Sequence, residues 1–161
     1  MSYPDAGHLA QSYSLTTRLI NNFITGITDA AACATPLSSV NSLNWVLGHI
    51  LTSRQQVARA LGGEDFMPEA ASVRYMTGSD PVTPESSTMI PLSTLQEFLQ
   101  ASQESLADAL ATAAPEDLAQ VIETRFGPRP VGQHVAGLHW HETFHVGQLE
   151  ILREFALAAE E

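Results

Sequence analysis

The chain has 161 residues, 44% of them hydrophobic and 16% charged, a globular balance that predicts a single domain over residues 1–161. Seven Lys and Arg against eighteen Asp and Glu leave a net charge of −11, and no two basic residues are adjacent, so nucleic-acid and anionic-membrane partners are excluded for want of clustered cations. No run approaches ~18 apolar residues, the opening "MSYPDAGHLAQSYS" has neither a basic n-region nor an apolar h-region, and the lone Cys33 permits no internal disulfide. A cytoplasmic protein without a signal peptide or membrane span is therefore expected.

The first helical segment is predicted over residues 4–28, with Leu9, Tyr13, Thr16, Ile20, Phe23 and Ile27 at three- and four-residue steps. Gly26 and the stretch "TDAACATPLSS" end it, and Cys33 within that stretch reads as a small packed side chain rather than a reactive thiol. The second segment, 42–61, opens on Ser42 as N-cap, carries Leu43, Val46, Leu47, Ile50, Val57 and Leu61, and stops at Gly62-Gly63. Residues 64–90 hold three prolines and form a long connection in which Phe66, Met67, Tyr75 and Met76 are able to pack. The third segment, 92–113, follows Pro91 with Leu92, Leu95, Leu99, Ser102, Leu106 and Leu110. Pro115 and "RFGPRP" punctuate the next connection, and the fourth segment spans 131–158. No strand alternation or internal repeat stands out. Four amphipathic helices predict an all-α four-helix bundle. A connection of nearly 30 residues between the second and third helices is long enough to return along the bundle and let them run parallel.

The fourth segment is where chemistry enters. Steps of three and four residues trace a seam through His134, Leu138, His141, His145, Gln148, Leu152 and Phe155, so imidazoles stand where a bundle expects Leu or Ile. Side chains at i and i+4 lie about 6 Å apart, and His141 and His145 can reach one metal ion at ~2.0–2.1 Å. His134 lies about 10 Å earlier along the axis and reads as core or rim. His139 points elsewhere, and His8 reads as solvated.

"HETFH" spells the His-Glu-x-x-His of zinc peptidases. The long form of that motif needs Gly and His where Gln148 and Ile151 stand, and the other form takes its third ligand from a later helix. Only sixteen residues follow His145, all continuing one helix, so Glu150, Glu154, Glu160 and Glu161 cannot fold back onto the site. The protease reading fails. A third ligand must come from upstream, and His49 in "LNWVLGHI" is the remaining histidine on a core helix, which completes the set His49, His141 and His145.

"LNWVLGHI", the glycine pair that closes its helix and "FGPRPVGQHVAGLHWHETFHVGQLEILRE" together resemble the DinB-like superfamily of metal-binding four-helix bundles over nearly the whole chain. The most specific parts are the lone His on the second helix and H-x-x-x-H-x-G-Q-L on the fourth. The resemblance implies an up-down-down-up bundle, a divalent metal on His49, His141 and His145, and a homodimer. Gln148 stands one turn beyond His145, where it can orient a ligand. Glu142 has three possible places: beside the metal, orienting a ligand, or facing solvent. Trp45 reads as core, and Arg153 as a partner of Glu150 or of a neighbouring chain.

Three neutral imidazoles leave positions open on a divalent ion, whether zinc, nickel or iron. Such an ion lowers the pKa of bound water or holds a thiol as thiolate. Transfer of a low-molecular-weight thiol to an electrophilic small molecule is the reading the resemblance favours. Hydrolysis by metal hydroxide, with Glu142 as base, is an alternative, as is a non-enzymatic metal-stabilised binding or stress protein. The pocket lining is expected from the first and third helices. Arg125 and Arg129, at the entry to the fourth, are able to attract an anionic substrate, with surface solubility as the plainer reading.

Overall fold

The computed structural model describes residues 3–37 and 40–159. Ser38 and Ser39, at the end of the "TDAACATPLSS" break, and Glu160 and Glu161 lie outside the described residues. Four long helices dominate: α1 (Ala6–Ile24), α2 (Leu43–Ala60), α4 (Leu92–Thr112) and α6 (Val131–Ala158). Two short helices, α3 (Glu69–Arg74) and α5 (Pro115–Ala119), and a 3-10 turn at Ala31–Cys33 occupy the connections.

Local chemistry sets the ends of these elements. The Asp5 carboxylate accepts from the His8 backbone N–H at 2.8 Å and the Ser42 hydroxyl from that of Trp45 at 3.3 Å, capping α1 and α2. Beyond α2, Gly62 takes φ +78° and the Gly63 N–H donates back to the Ala58 carbonyl at 2.8 Å, the glycine stop expected there. The first helix is shorter than the predicted 4–28, because Thr25 leaves the helix and Gly26 turns at φ +79°. One feature was not anticipated: Val121–Ile122 (β1) pairs antiparallel with Arg129–Pro130 (β2), two residues a side. That is too short to alternate visibly in a sequence.

Contacts between helices fix their directions. Tyr13 bonds Val135 and Arg153 bonds Phe23, so α1 and α6 run parallel. Asn44 reaches Ile90 just before α4, and Arg54 reaches Ser102, so α2 and α4 are parallel too. Thr17 with Gln103 and Gln96 with Asn21 set α1 antiparallel to α4. The bundle is up-down-down-up, with residues 61–91 as the crossover.

The apolar stripes bury as their spacing requires. Every predicted position of α4 is buried, and α2 is enclosed on nearly all sides by the other helices and the crossover. The predicted seam of α6 is out of phase by about one residue. The side chains that fill the core are Val131, Val135, Glu142, Val146, Leu149, Leu152 and Ala156, while His134, His141, His145 and Gln148 flank them half-buried and Phe155 is exposed. The imidazoles stand beside the core rather than within it. No described helix is long and apolar enough to cross a membrane.

Candidate metal centre

α2 presents His49 toward α6, and α6 presents His141 and His145 one turn apart. One ring nitrogen from each falls within 4.8 Å of the other two. The ring centroids are 4.4 to 5.2 Å apart. The His141 and His145 Nε2 atoms are 3.1 Å apart, close to the ~3.3 Å separating two ligands on a tetrahedral ion with ~2.0 Å bonds.

Two of the three rings are oriented from behind. His49 Nδ1 lies 2.8 Å from the Tyr75 carbonyl, which can only accept; the proton is therefore on Nδ1 and the Nε2 lone pair is free. The Trp45 indole stacks on the same imidazole at 4.8 Å and 12°, and its own N–H donates to Ser79. Tyr75 is in turn pinned by its hydroxyl, which donates to Asn44 Oδ1 and accepts from the Ile90 N–H. Gly48 makes this possible, because a Cβ there would stand 2.3 Å from the Tyr75 ring. On α6, His145 Nδ1 lies 2.6 Å from Gln148 Oε1, which leaves Nε2 toward His141. His141 Nδ1 is buried without a partner.

These tautomers test whether the residues fit a cation. His145, held with its proton toward Gln148, turns an Nε2 lone pair to His141 Nε2 at 3.1 Å, and a shared cation would accept that lone pair together with the one His141 presents when its own proton is on Nδ1. Electrostatics point the same way. Burial is the main cause lowering the pKa of all three rings: His145 falls to about 4, with the Gln148 contact opposing, and His141 and His49 fall below their usual value. The Arg125 charge adds to the fall at His49 and His141. All three are neutral donors at pH 7, and the set could hold a divalent ion.

Glu142 takes none of its three expected places. It turns into the core, only 1% exposed, where its two oxygens meet Arg54 Nε at 2.9 Å and Nη2 at 2.7 Å. The Thr16 hydroxyl also donates to Glu142, and Arg54 Nη1 donates to Ser102 Oγ. All four long helices contribute to this layer, and its carboxylate is not available as a base. Arg54 escaped the sequence reading. The stripe of α2 steps by three and four but jumps from Ile50 to Val57, and Arg54 fills that gap; the gap was the available signal.

His134 rims the cavity beside the triad, and His139 packs edge-on against Tyr13 at 4.9 Å. His8 is exposed, and Cys33 is buried beside Met89. Among the described residues Arg153 forms no ion pair with Glu150 or another acid, donating instead to the Phe23 and Thr25 carbonyls at the end of α1. The cavity, about 810 Å³, is not lined by the first and third helices. Its walls are α2, α6, Met76–Thr77 and the β1–β2 hairpin, because that hairpin folds over the face where α2 and α6 hold His49 and His141.

A family model described as the DinB superfamily matches residues 9–149. No curated protein matches. Among solved structures, a conserved protein from Enterococcus faecalis is similar with a TM-score of 0.73 at 16% identity, covering 98% of this chain and 99% of that one. At that identity the likeness speaks to the fold.

Proposed function

The chain belongs to the DinB superfamily, and from that premise we propose that it binds one divalent cation through His49, His141 and His145 and transfers a low-molecular-weight thiol to an electrophilic substrate. The observation that carries this reading is the cluster of three ring nitrogens within 4.8 Å, with no carboxylate or thiolate among its members. A divalent ion held by neutral ligands alone keeps its full charge and, when bound, supplies the Lewis acidity that favours a thiolate over a thiol.

The chain's own groups supply position and exclusion. Tyr75 and Gln148 hold two rings with their lone pairs inward, and Trp45 covers the His49 face. The cavity above His49 and His141 is of a size suited to a small molecule. Thiol transfer is favoured over hydrolysis because Glu142, the base that hydrolysis was expected to use, is committed to Arg54. An incoming thiol needs no such base once its proton is lost to solvent.

Protein purified without added metal is assayed for bound zinc, nickel and iron, then for conjugation of a panel of thiols to monochlorobimane. About one metal ion per chain and thiol-selective conjugation, both lost in His49→Ala, are expected. Metal uptake without conjugation would reduce the reading to a metal-binding protein. Ester turnover that needs metal but no thiol would replace it with a hydrolase.

A further inference from the structure

All seven cationic side chains of this protein are arginines, and the chain has no lysine. Arg54 is matched by Glu142, and Arg59 by Asp65 and Glu69. Arg74 and Arg153 donate to backbone carbonyls, and Arg18 is exposed on α1. The remaining two, Arg125 and Arg129, both line the cavity over the triad. Among the described residues neither forms an ion pair; Arg129 Nη2 donates to the Phe126 carbonyl at 3.3 Å, and its Nε is buried without a partner. Two guanidiniums without an ion-paired acid at one cavity, in a protein of net charge −11, demand an account.

The loop that carries them is built to hold them there. β1 and β2 pair at its base, and Gly127 at φ +88° closes the turn with its N–H on the Thr124 carbonyl at 2.9 Å. The Thr124 hydroxyl accepts from the Phe126 N–H at 3.1 Å and donates to the Gly127 carbonyl at 2.7 Å. The Phe126 ring then lies 4.6 Å from the Arg125 guanidinium and 5.3 Å from that of Arg129, so one aromatic ring holds both cations at the loop. Phe126 is 65% exposed and, across the cavity, Trp140 is 74% exposed, a large apolar surface left to water. Glu123 also lines the cavity and offsets one charge, while Arg59 is already neutralised by its own acids.

We propose that Arg125 and Arg129 clamp an anionic oxyacid group of the substrate, a carboxylate or a phosphate-type group, while Phe126 and Trp140 cover an apolar body that reaches toward His49 and His141. This deepens the reading of the triad as the reacting end and rests on it for which end reacts. Planar guanidinium forks suit such groups bidentately. The acidic surface elsewhere repels competing anions from every other part of the molecule.

The test is calorimetric titration of the full-length chain, chelator-treated so that no metal coordinates the probe, with phenylacetate, phenylphosphonate and the neutral 2-phenylethanol. Both anions are expected to bind at least about tenfold more tightly than the alcohol, the tighter of the two naming the source of the anion. Arg125→Gln and Arg129→Gln should each weaken anion binding by roughly five- to tenfold. Arg18→Gln, which changes the net charge equally, should leave it unaltered. Rising salt should weaken the anions and spare the alcohol in the unsubstituted chain, a readout that needs no variant to fold. Equal binding of the alcohol, or an equal loss in Arg18→Gln, overturns the clamp. Elemental analysis of the same preparations before chelation separates the two readings: a bound divalent metal without anion binding sinks the clamp alone, and anion binding without any bound metal sinks the metal centre alone.

Discussion

Two polar clusters bridge α2 and α6 about a turn apart, and they are opposites. In the Arg54–Glu142 layer both side chains are at most 1% exposed and every carboxylate oxygen has a donor from the surrounding helices. In the histidine cluster two Nε2 atoms face each other, one buried Nδ1 has no partner, and a cavity opens alongside. A polar group enclosed with its needs met holds structure together; one enclosed with its lone pairs unmet is waiting for something. The same sequence stretch, "HETFH", feeds both clusters, since a step from His141 to Glu142 turns about 100° around the helix from cavity to core.

The contrast is broken most forcefully in the closed layer. Arg54→Ala leaves Glu142 buried and unpaired and is expected to cost about 3–5 kcal/mol in chemical denaturation. The double variant Arg54→Met/Glu142→Leu should recover most of that loss, and a double variant as unstable as the single one would show that the pair is not the source. In the open cluster the effect lies with metal instead. Zinc at a hundredfold excess over its Kd should stabilise the unsubstituted chain by about 2.7 kcal/mol. His49→Ala, His141→Ala and His145→Ala should abolish that gain.

Smaller effects sharpen the contrast. Gln148→Ala frees the His145 ring and should weaken zinc binding by roughly 10- to 100-fold in competition titrations. An unchanged affinity would mean that Gln148 does not orient the ring. Proton linkage gives the mildest signal. The folded-state pKa values of His49, His141 and His145 lie below the unfolded value, that of His145 at about 4. Between there and about 6.5 the unfolded chain binds more protons. Metal-free stability is therefore full above about pH 6.5 and declines as pH falls toward 4. A melting temperature flat across that window in the metal-free protein would contradict neutral, desolvated rings.

What was legible in the sequence follows from how much each residue type says alone. The stripe of α4 is plain because Leu at three- and four-residue steps has one interpretation, and every one of those positions is buried. The triad was reachable because two histidines one turn apart are rare enough to require a shared purpose. The phase of α6 misled for the same reason: taking imidazoles as core shifted the seam off Val135, Val146 and Leu149. The pairing of Arg54 with Glu142 was invisible because Arg54, read singly, is an ordinary surface charge and Glu142 was read beside the histidines, and only the skipped turn in the α2 stripe hinted otherwise. The hairpin that walls the cavity has two-residue strands, so the Arg125–Arg129 loop looked like punctuation.

The Tyr75 carbonyl that fixes the His49 tautomer belongs to the crossover and to none of the four long helices. Scaffold and tuning element are thereby different pieces of chain. A change in the stretch after Tyr75 would re-aim the His49 ring or reshape the mouth of the cavity, and the bundle would feel it too, because Val82 and Ile90 of the same stretch pack with Leu92 and Leu95 of α4.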